Sequence, residues 1–127
     1  KDVDDVLAKA AARDVKFCLA VATTLPGYRS MRELVGERDN VVFSCGVHPL
    51  NQDETYDVED LRRFAAEEGV VAMGETGLDY FYTPETKVRQ QESLSIIFRS
   101  AVSYRSQLSC IPAMREPTRC LFCAKKK

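Results

Sequence analysis

The stretch Gly74-Glu75-Thr76-Gly77-Leu78-Asp79-Tyr80 places a carboxylate between two glycines, directly after the apolar run Val70-Val71-Ala72-Met73. The run has the composition of a buried strand, and Gly74 and Gly77 free the backbone on either side of Glu75. In α/β enzymes, functional side chains lie where buried strands end. Glu75 is therefore the first candidate functional residue, and the alternative is a solvated carboxylate on a loop.

A second apolar run ends in a similar way. Val41-Val42-Phe43-Ser44-Cys45-Gly46-Val47 leads into His48-Pro49, and His48 is the only histidine of the chain. Imidazole can carry a proton, donate a hydrogen bond or bind a metal ion. His48 is therefore the second candidate, and the alternative is a histidine that caps a helix or turn.

The predicted strands recur at a regular spacing, at residues 15–22, 41–47 and 70–74. Helical patterns lie between them, and the helices are predicted at 2–14, from near 26 to 36, from 58 to near 69 and from 85 to about 102. Strands separated by helices form parallel βαβ units. Because parallel strands end at one edge, Thr23, His48 and Glu75 are expected to converge on one rim.

Bulk properties restrict the class of protein. The chain has 127 residues, 45% of them hydrophobic and 29% charged, with a net charge of −1, which predicts one globular domain or part of one without bulk attraction to nucleic acid or membrane. The start Lys1-Asp2-Val3 is not a signal peptide, and no run of about 18 apolar residues occurs. A soluble cytoplasmic protein is expected, with residues missing upstream because there is no initiator Met. Of five cysteines, Cys18 and Cys45 lie in apolar strands and are expected to be reduced thiols.

Several motifs together resemble the TatD family of metal-dependent deoxyribonucleases. They occur in the family's order and spacing between about Asp2 and Glu92: Gly46-Val47-His48-Pro49, Gly74-Glu75-Thr76-Gly77-Leu78-Asp79, Pro84-Glu85 and Gln90-Gln91-Glu92. The resemblance implies part of a (β/α)8 TIM barrel of the amidohydrolase type, with three to four βα units and parallel strands. It also implies hydrolysis of phosphodiester bonds in DNA, which makes DNA the expected partner.

Two roles are carried over from this resemblance. Glu75 resembles the family's metal-bridging carboxylate, and His48 resembles the histidine beside the substrate phosphate. Two divalent ions about 4 Å apart can activate a water and neutralise charge on the phosphate. The ligand types leave Mg, Mn and Zn open, with one or two ions.

The chain departs from the family in its other metal ligands. The family has a His-x-His pair after its first strand, two later histidines and a late Asp, and none of these is present in this sequence. No catalytic residue is therefore nominated. One carboxylate is expected to be insufficient for a dinuclear site, so the chain is predicted to be an inactive fragment of a deoxyribonuclease.

The resemblance stops abruptly near Ser93. If each codon's last base is read with the first two bases of the next codon, residues 107–120 can yield Ile-Val-Met-His-Thr-Arg-Asp-Ala-Arg-Ala-Asp-Thr-Leu, an apolar strand that ends in His. We therefore predict a partial hydrolase barrel over residues 1–93 and an aberrant, possibly out-of-frame tail over residues 94–127. Beyond Tyr104, irregular chain is expected. Cys120 and Cys123, and the basic end Lys125-Lys126-Lys127, are interpreted as non-functional.

Two further interpretations stay open. A partial barrel leaves open strand edges and an uncovered apolar face, so the chain is expected to associate with itself or with a partner such as a complementary half-barrel. This would make it a non-catalytic α/β fragment that persists by binding. A related barrel that hydrolyses a lactone or an amide is the other alternative, because a fold does not fix its substrate.

Overall fold

Helices and strands alternate along the chain in the computed structural model, which describes residues 2–52, 56–104 and 107–111. The elements are α1 (Val3–Ala11), β1 (Cys18–Val21), α2 (Leu25–Val35), β2 (Val41–Cys45), α3 (Val58–Ala65), β3 (Val70–Gly77), α4 (Lys87–Tyr104) and β4 (Gln107–Ile111), with 3-10 helices at Pro49–Asn51 and Pro84–Thr86. The α/β class predicted from the sequence is confirmed.

The strands form one parallel sheet in the order β1-β2-β3-β4. Strands that follow one another in the chain are therefore neighbours in the sheet, with a helix between each pair. The register pairs Val21 with Ser44 and Cys45 with Met73. This repeated βα arrangement confirms the parallel units predicted from the strand spacing.

Side-chain caps fix where three helices begin. Asp2 accepts a hydrogen bond from the backbone N–H of Asp4 (2.9 Å) at α1, and Asp57 accepts one from Glu59 (2.8 Å) at α3. At α2, Thr24 Oγ1 accepts from the N–H of Gly27 at 3.0 Å. These caps satisfy N–H groups that have no partner within the helix.

The core lies between the helices and one face of the sheet. Its largest fully buried apolar side chains come from α2, β2, α3, β3 and α4, namely Tyr28, Phe43, Leu61, Met73 and Ile97. Burying a side chain of this size contributes about 1.5–3 kcal/mol. The helices are thus held against the sheet by apolar contacts that reach as far as α4.

Part of the opposite face of the sheet is apolar and exposed. Along β1, Cys18 and Ala20 are half-buried, whereas Leu19 and Val21 are exposed. Val71 of β3 is also exposed. Within the described residues, this face has no covering layer, so apolar side chains that would be internal in a closed barrel contact solvent.

The structure corrects two boundaries that concern the site. β3 continues to Gly77, so Glu75 lies within the strand and not on a loop after Gly74. The extension exists because β4 pairs with this part of β3, with Thr76 opposite Cys110 and Gly77 opposite Ile111. β1 is shorter than predicted, since it begins at Cys18 and not at Val15.

The prediction of irregular chain beyond Tyr104 is wrong for Gln107–Ile111, which forms β4. The edge of β3 offers unpaired N–H and C=O groups, and the sequence Gln-Leu-Ser-Cys-Ile has the alternation that suits a strand. Residues 112–127, which include Cys120 and Cys123, lie outside the described residues.

Candidate active-site rim

Backbone hydrogen bonds join three strand ends into one rim. The N–H of Ala22 donates to Ser44 O at 3.2 Å, and the N–H of His48 donates to Thr23 O at 2.9 Å. The N–H of Glu75 reaches past β2 and donates to Ala22 O at 3.1 Å. Thr23, His48 and Glu75 therefore converge as predicted, and the sheet is strongly curved at this edge.

A close contact between two glycines positions Glu75. A Cβ atom on Gly46 would lie 2.7 Å from both Cα and C of Gly74, so only glycine fits at this position. Gly74 has a φ of 152°, which also favours glycine, and its peptide bond to Glu75 is cis. The buried Ser44 Oγ donates to Gly74 O at 2.6 Å. The residue before Glu75 is thus fixed by packing and by a buried hydrogen bond.

His48 caps the 3-10 helix at Pro49–Asn51. Its Nδ1 accepts a hydrogen bond from the N–H of Leu50 at 3.1 Å. The capping alternative considered for this histidine is therefore correct for Nδ1. In the neutral ring the proton then lies on Nε2, which is left as a donor. His48 is half-buried, so the cap and a contact with a bound anion are compatible.

The loop of His48 is anchored by a buried glutamine that the sequence did not single out. Gln52 is almost fully buried, and its Nε2 donates to Val47 O at 3.4 Å and to Ser93 Oγ at 3.2 Å. Asn51 adds a hydrogen bond to Thr23 O at 3.2 Å. The loop is thus tied both to α4 and to the end of β1.

A second glutamine anchors the loop that follows β3. Gln90 is fully buried; its Oε1 accepts from the N–H of Asp79 at 2.7 Å and its Nε2 donates to Asp79 O at 2.9 Å. The same amide also contacts Thr83 and Thr86. The side-chain amide of Gln90 therefore pairs with both the N–H and the C=O of Asp79, as the backbone of a neighbouring strand would.

The described residues do not fit a complete metal site. No group of three or more His, Cys, Asp or Glu side chains is close enough to hold an ion in the part of the chain that the structure describes. Asp79 is buried, and its Oδ1 already accepts from the backbone N–H groups of Phe81 and Tyr82. Glu75 is half-buried at the rim. One rim carboxylate is fewer ligands than a structural or catalytic metal requires.

The buried thiol of Cys45 is unreactive near pH 7. Burial, with a smaller effect of Glu67, raises the pKa of Cys45 to about 12. Burial and the hydrogen bond that Tyr28 donates to Glu67 (2.6 Å) also raise the pKa of Tyr28. Both side chains remain neutral near pH 7. Cys18 and Cys45 are free cysteines.

No helix among the described residues is both long and apolar enough to cross a membrane.

Comparison with known proteins identifies relatives over most of the chain. A family model described as "TatD related DNase" matches residues 1–110. "Uncharacterized metal-dependent hydrolase YcfH" of Escherichia coli K12 is 90% identical over 93 residues, which is 73% of this chain and 35% of that protein. "3'-5' ssDNA/RNA exonuclease TatD" of Shigella flexneri is 35% identical over 94 residues, or 70% of this chain and 36% of that protein.

A solved structure agrees with the fold. The structure titled "Crystal structure of YJJV, TATD Homolog from Escherichia coli k12" superposes with a TM-score of 0.76 at 26% identity, covering 90% of this chain and 45% of that one. The chain thus spans about a third of the length of the curated relatives named above. The curved parallel sheet corresponds to part of a barrel.

Proposed function

The chain belongs to the TatD related DNase family, and we propose that it carries part of the site of a metal-dependent hydrolase that cleaves phosphodiester bonds in DNA. The observation that carries this proposal is the hydrogen bond from the N–H of Glu75 to Ala22 O, at 3.1 Å. It holds a half-buried carboxylate at the same rim as His48. Relatives described as metal-dependent hydrolases and as a 3'-5' exonuclease support the class of reaction.

Glu75 is proposed as a single carboxylate ligand of a divalent ion. It follows a glycine that is fixed by Gly46 and Ser44, so its backbone is placed before any ion binds. Carboxylate oxygen suits Mg, Mn and Zn. The remaining ligands must come from outside the described residues, because these contain no cluster that could complete the site.

His48 is proposed to contact a substrate phosphate. The cap at Nδ1 fixes the ring and leaves the Nε2–H as a donor. An imidazole N–H can donate a hydrogen bond to a phosphate oxygen. The net charge of the chain is −1, so no general positive field attracts DNA. Contacts with phosphate must then come from individual groups such as His48.

With one proposed metal ligand, the 127-residue chain is expected to be inactive as a nuclease. The test is cleavage of single- and double-stranded DNA with Mg, Mn or Zn, for the chain and for Glu75→Ala. We expect no metal-dependent cleavage by either protein. Cleavage by the unmodified chain that is lost in Glu75→Ala would show that the described residues suffice for activity.

Metal binding tests the role of Glu75 without requiring activity. Weak Mn²⁺ binding, measured by electron paramagnetic resonance of the free ion, is expected to fall in Glu75→Gln. Glu33→Gln is the matched control, because it removes an exposed carboxylate from α2. Equal loss of Mn²⁺ in both variants would contradict a specific role for Glu75.

The second candidate function is a non-catalytic α/β fragment that persists by binding another chain. The exposed apolar side chains of Leu19, Val21 and Val71, on one face of the sheet, favour it. Such a face is buried in a closed barrel, so a second copy or a complementary half-barrel could cover it.

A further inference from the structure

The two edges of the sheet are open and complementary. Among the described residues, β1 pairs only with β2 and β4 only with β3, and all pairs are parallel. The N–H groups of Cys18 and Ala22 donate to backbone oxygens on the β2 side, at 2.9 and 3.2 Å. Because successive residues of a strand face opposite sides, the backbone groups of Leu19 and Val21 face the open edge of β1.

The uncovered face of the sheet is apolar at the same strand. Leu19, Val21 and Val71 are exposed by 45%, 41% and 44%, whereas Cys18 and Ala20 pack against the core on the other face. Parallel sheets are normally covered on both faces. A net charge of −1 causes little repulsion between two copies of the chain. A second copy can therefore cover this face.

A second copy also has the size and the edges that closure requires. The chain covers 45% of the superposed TatD homologue, so two copies match nearly the whole length of that protein. Four parallel strands from each copy give the eight strands of a closed (β/α)8 barrel. With a twofold axis along the barrel, β1 of each copy lies beside β4 of the other. Both junctions are then parallel, and no edge is left unpaired.

We propose that two copies of the chain close an eight-stranded parallel barrel, and that Glu75 of each copy binds one divalent cation at the shared rim. Parallel junctions place both rims at the same end. An eight-stranded barrel is only wide enough for side chains to fill it, so Glu75 and the partner's Glu75 can reach one ion. Mg²⁺ is commonly bound by one or two carboxylates and several waters.

This inference rests on the proposed role of Glu75 and on the second candidate function, and it specifies the partner as a second copy. It also accounts for the incomplete metal site, because the described residues of one chain contain no group of three or more ligands. The second carboxylate then comes from another chain.

The first test is the mass of the protein in EDTA, from size-exclusion chromatography with light scattering. The parent is expected to be a dimer. Val71→Glu is expected to weaken the dimer by more than about 100-fold, because closure would bury two carboxylates without partners. Val88→Glu is the matched control, since Val88 is 65% exposed on α4, and it is expected to keep the dimer. Circular dichroism establishes that each variant is folded.

Val21→Pro tests whether the edges pair. It keeps an apolar side chain but removes the N–H at the open edge, where proline is tolerated within one chain. The twofold axis repeats the lost hydrogen bond, so the dimer is expected to weaken by about 5- to 150-fold. Two sheets that merely stack face to face do not use this N–H. An unchanged dimer in folded Val21→Pro would therefore overturn the closed barrel.

The second test is Mn²⁺ binding, measured by electron paramagnetic resonance of the free ion. The parent is expected to bind one ion per two chains, and Glu75→Gln is expected to lose this ion while it remains a dimer. Val71→Glu is expected to weaken Mn²⁺ binding by about 10-fold or more, because each monomer then offers a single carboxylate.

The outcomes separate this inference from the proposed function. A monomeric parent, or oligomers that keep growing with concentration, would overturn the closed dimer. Equal Mn²⁺ affinity of the parent and of monomeric Val71→Glu would overturn the shared site. If Glu75 is not a ligand, Glu75→Gln binds Mn²⁺ like the parent. That result removes the shared ion but leaves the dimer mass and its response to Val71→Glu unchanged.

Discussion

At the scale of single residues, backbone contacts decide the position of Glu75. Ser44 Oγ and the absence of a side chain at Gly46 together allow β2 to approach Gly74. The backbone of Glu75 is thereby fixed at the rim. His48 is likewise oriented by the single hydrogen bond that its Nδ1 accepts from Leu50. The candidate site is thus built from small residues and main-chain groups.

Replacement of Gly46 by Ala is expected to destabilise the protein by about 3 kcal/mol, near the upper end of the range for overpacked sites. The added Cβ would meet the Gly74 backbone at 2.7 Å, and backbone cannot rotate away as a side chain can. Chemical denaturation followed by circular dichroism measures the free energy of unfolding.

Gly36→Ala serves as the control for Gly46→Ala. It adds the same methyl group where no atom lies within 4 Å, and its cost comes only from a φ of 66°. Because ψ is −169°, this conformation is almost confined to glycine, and a cost of about 1–3 kcal/mol is expected for the backbone strain. If Gly46→Ala costs well below about 1 kcal/mol, the close approach to Gly74 does not constrain the rim.

At the scale of elements, α4 links the core to the rim. Its buried positions Gln90, Leu94, Ile97 and Ala101 follow helical spacing. Gln90 therefore lies on the buried face of α4, which also carries Ser93 and Ser100, and its amide forms hydrogen bonds with the backbone of the loop after β3.

We expect Gln90→Leu to destabilise the protein by about 2–4 kcal/mol, because it leaves buried backbone groups of Asp79 without a partner. Leucine has a similar volume, so the loss comes from hydrogen bonds. Urea denaturation gives the change in the free energy of unfolding.

The neighbouring Gln91→Leu provides the comparison for Gln90→Leu. Gln91 is exposed, and its amide donates to the Tyr80 hydroxyl at 2.9 Å. Its replacement is expected to change stability by less than about 0.5 kcal/mol. Equal effects of the two substitutions would show that the Gln90 amide does not hold the loop.

At the scale of the whole molecule, the two faces of the sheet differ. One face is covered by helices and holds the core around Phe43 and Met73. The other exposes Leu19, Val21 and Val71. An exposed apolar face of a parallel sheet favours association, because such sheets are normally covered on both sides.

The 127-residue chain is therefore expected to associate in solution, and Leu19→Glu is expected to shift it toward the monomer by placing charges on the face. Size-exclusion chromatography with light scattering gives the mass. Leu34→Glu is the control, since Leu34 is also exposed but lies on α2. A monodisperse monomer with one sharp thermal unfolding transition would be evidence against association.

Much of the fold could be predicted from local patterns. The helices and three strands were found because periodicity and turn residues are properties of neighbouring residues. The extension of β3 through Glu75, and the strand at Gln107–Ile111, were missed. Both arise from pairing between distant segments, which no local pattern contains. The boundary predicted at Ser93 stays a prediction.

The sequence by itself determined the α/β class, the parallel order and the two rim candidates His48 and Glu75. The spacing and the ends of the strands are local patterns, which can be recognised from neighbouring residues. The tertiary structure alone decided that Glu75 N–H bonds to Ala22 O, that Nδ1 of His48 is a cap, and that Gln52 and Gln90 hold the rim loops. Apart from the local cap of His48, these are contacts between different elements or loops of the chain. Their partners become neighbours only when helices pack on the sheet and bury both groups away from water.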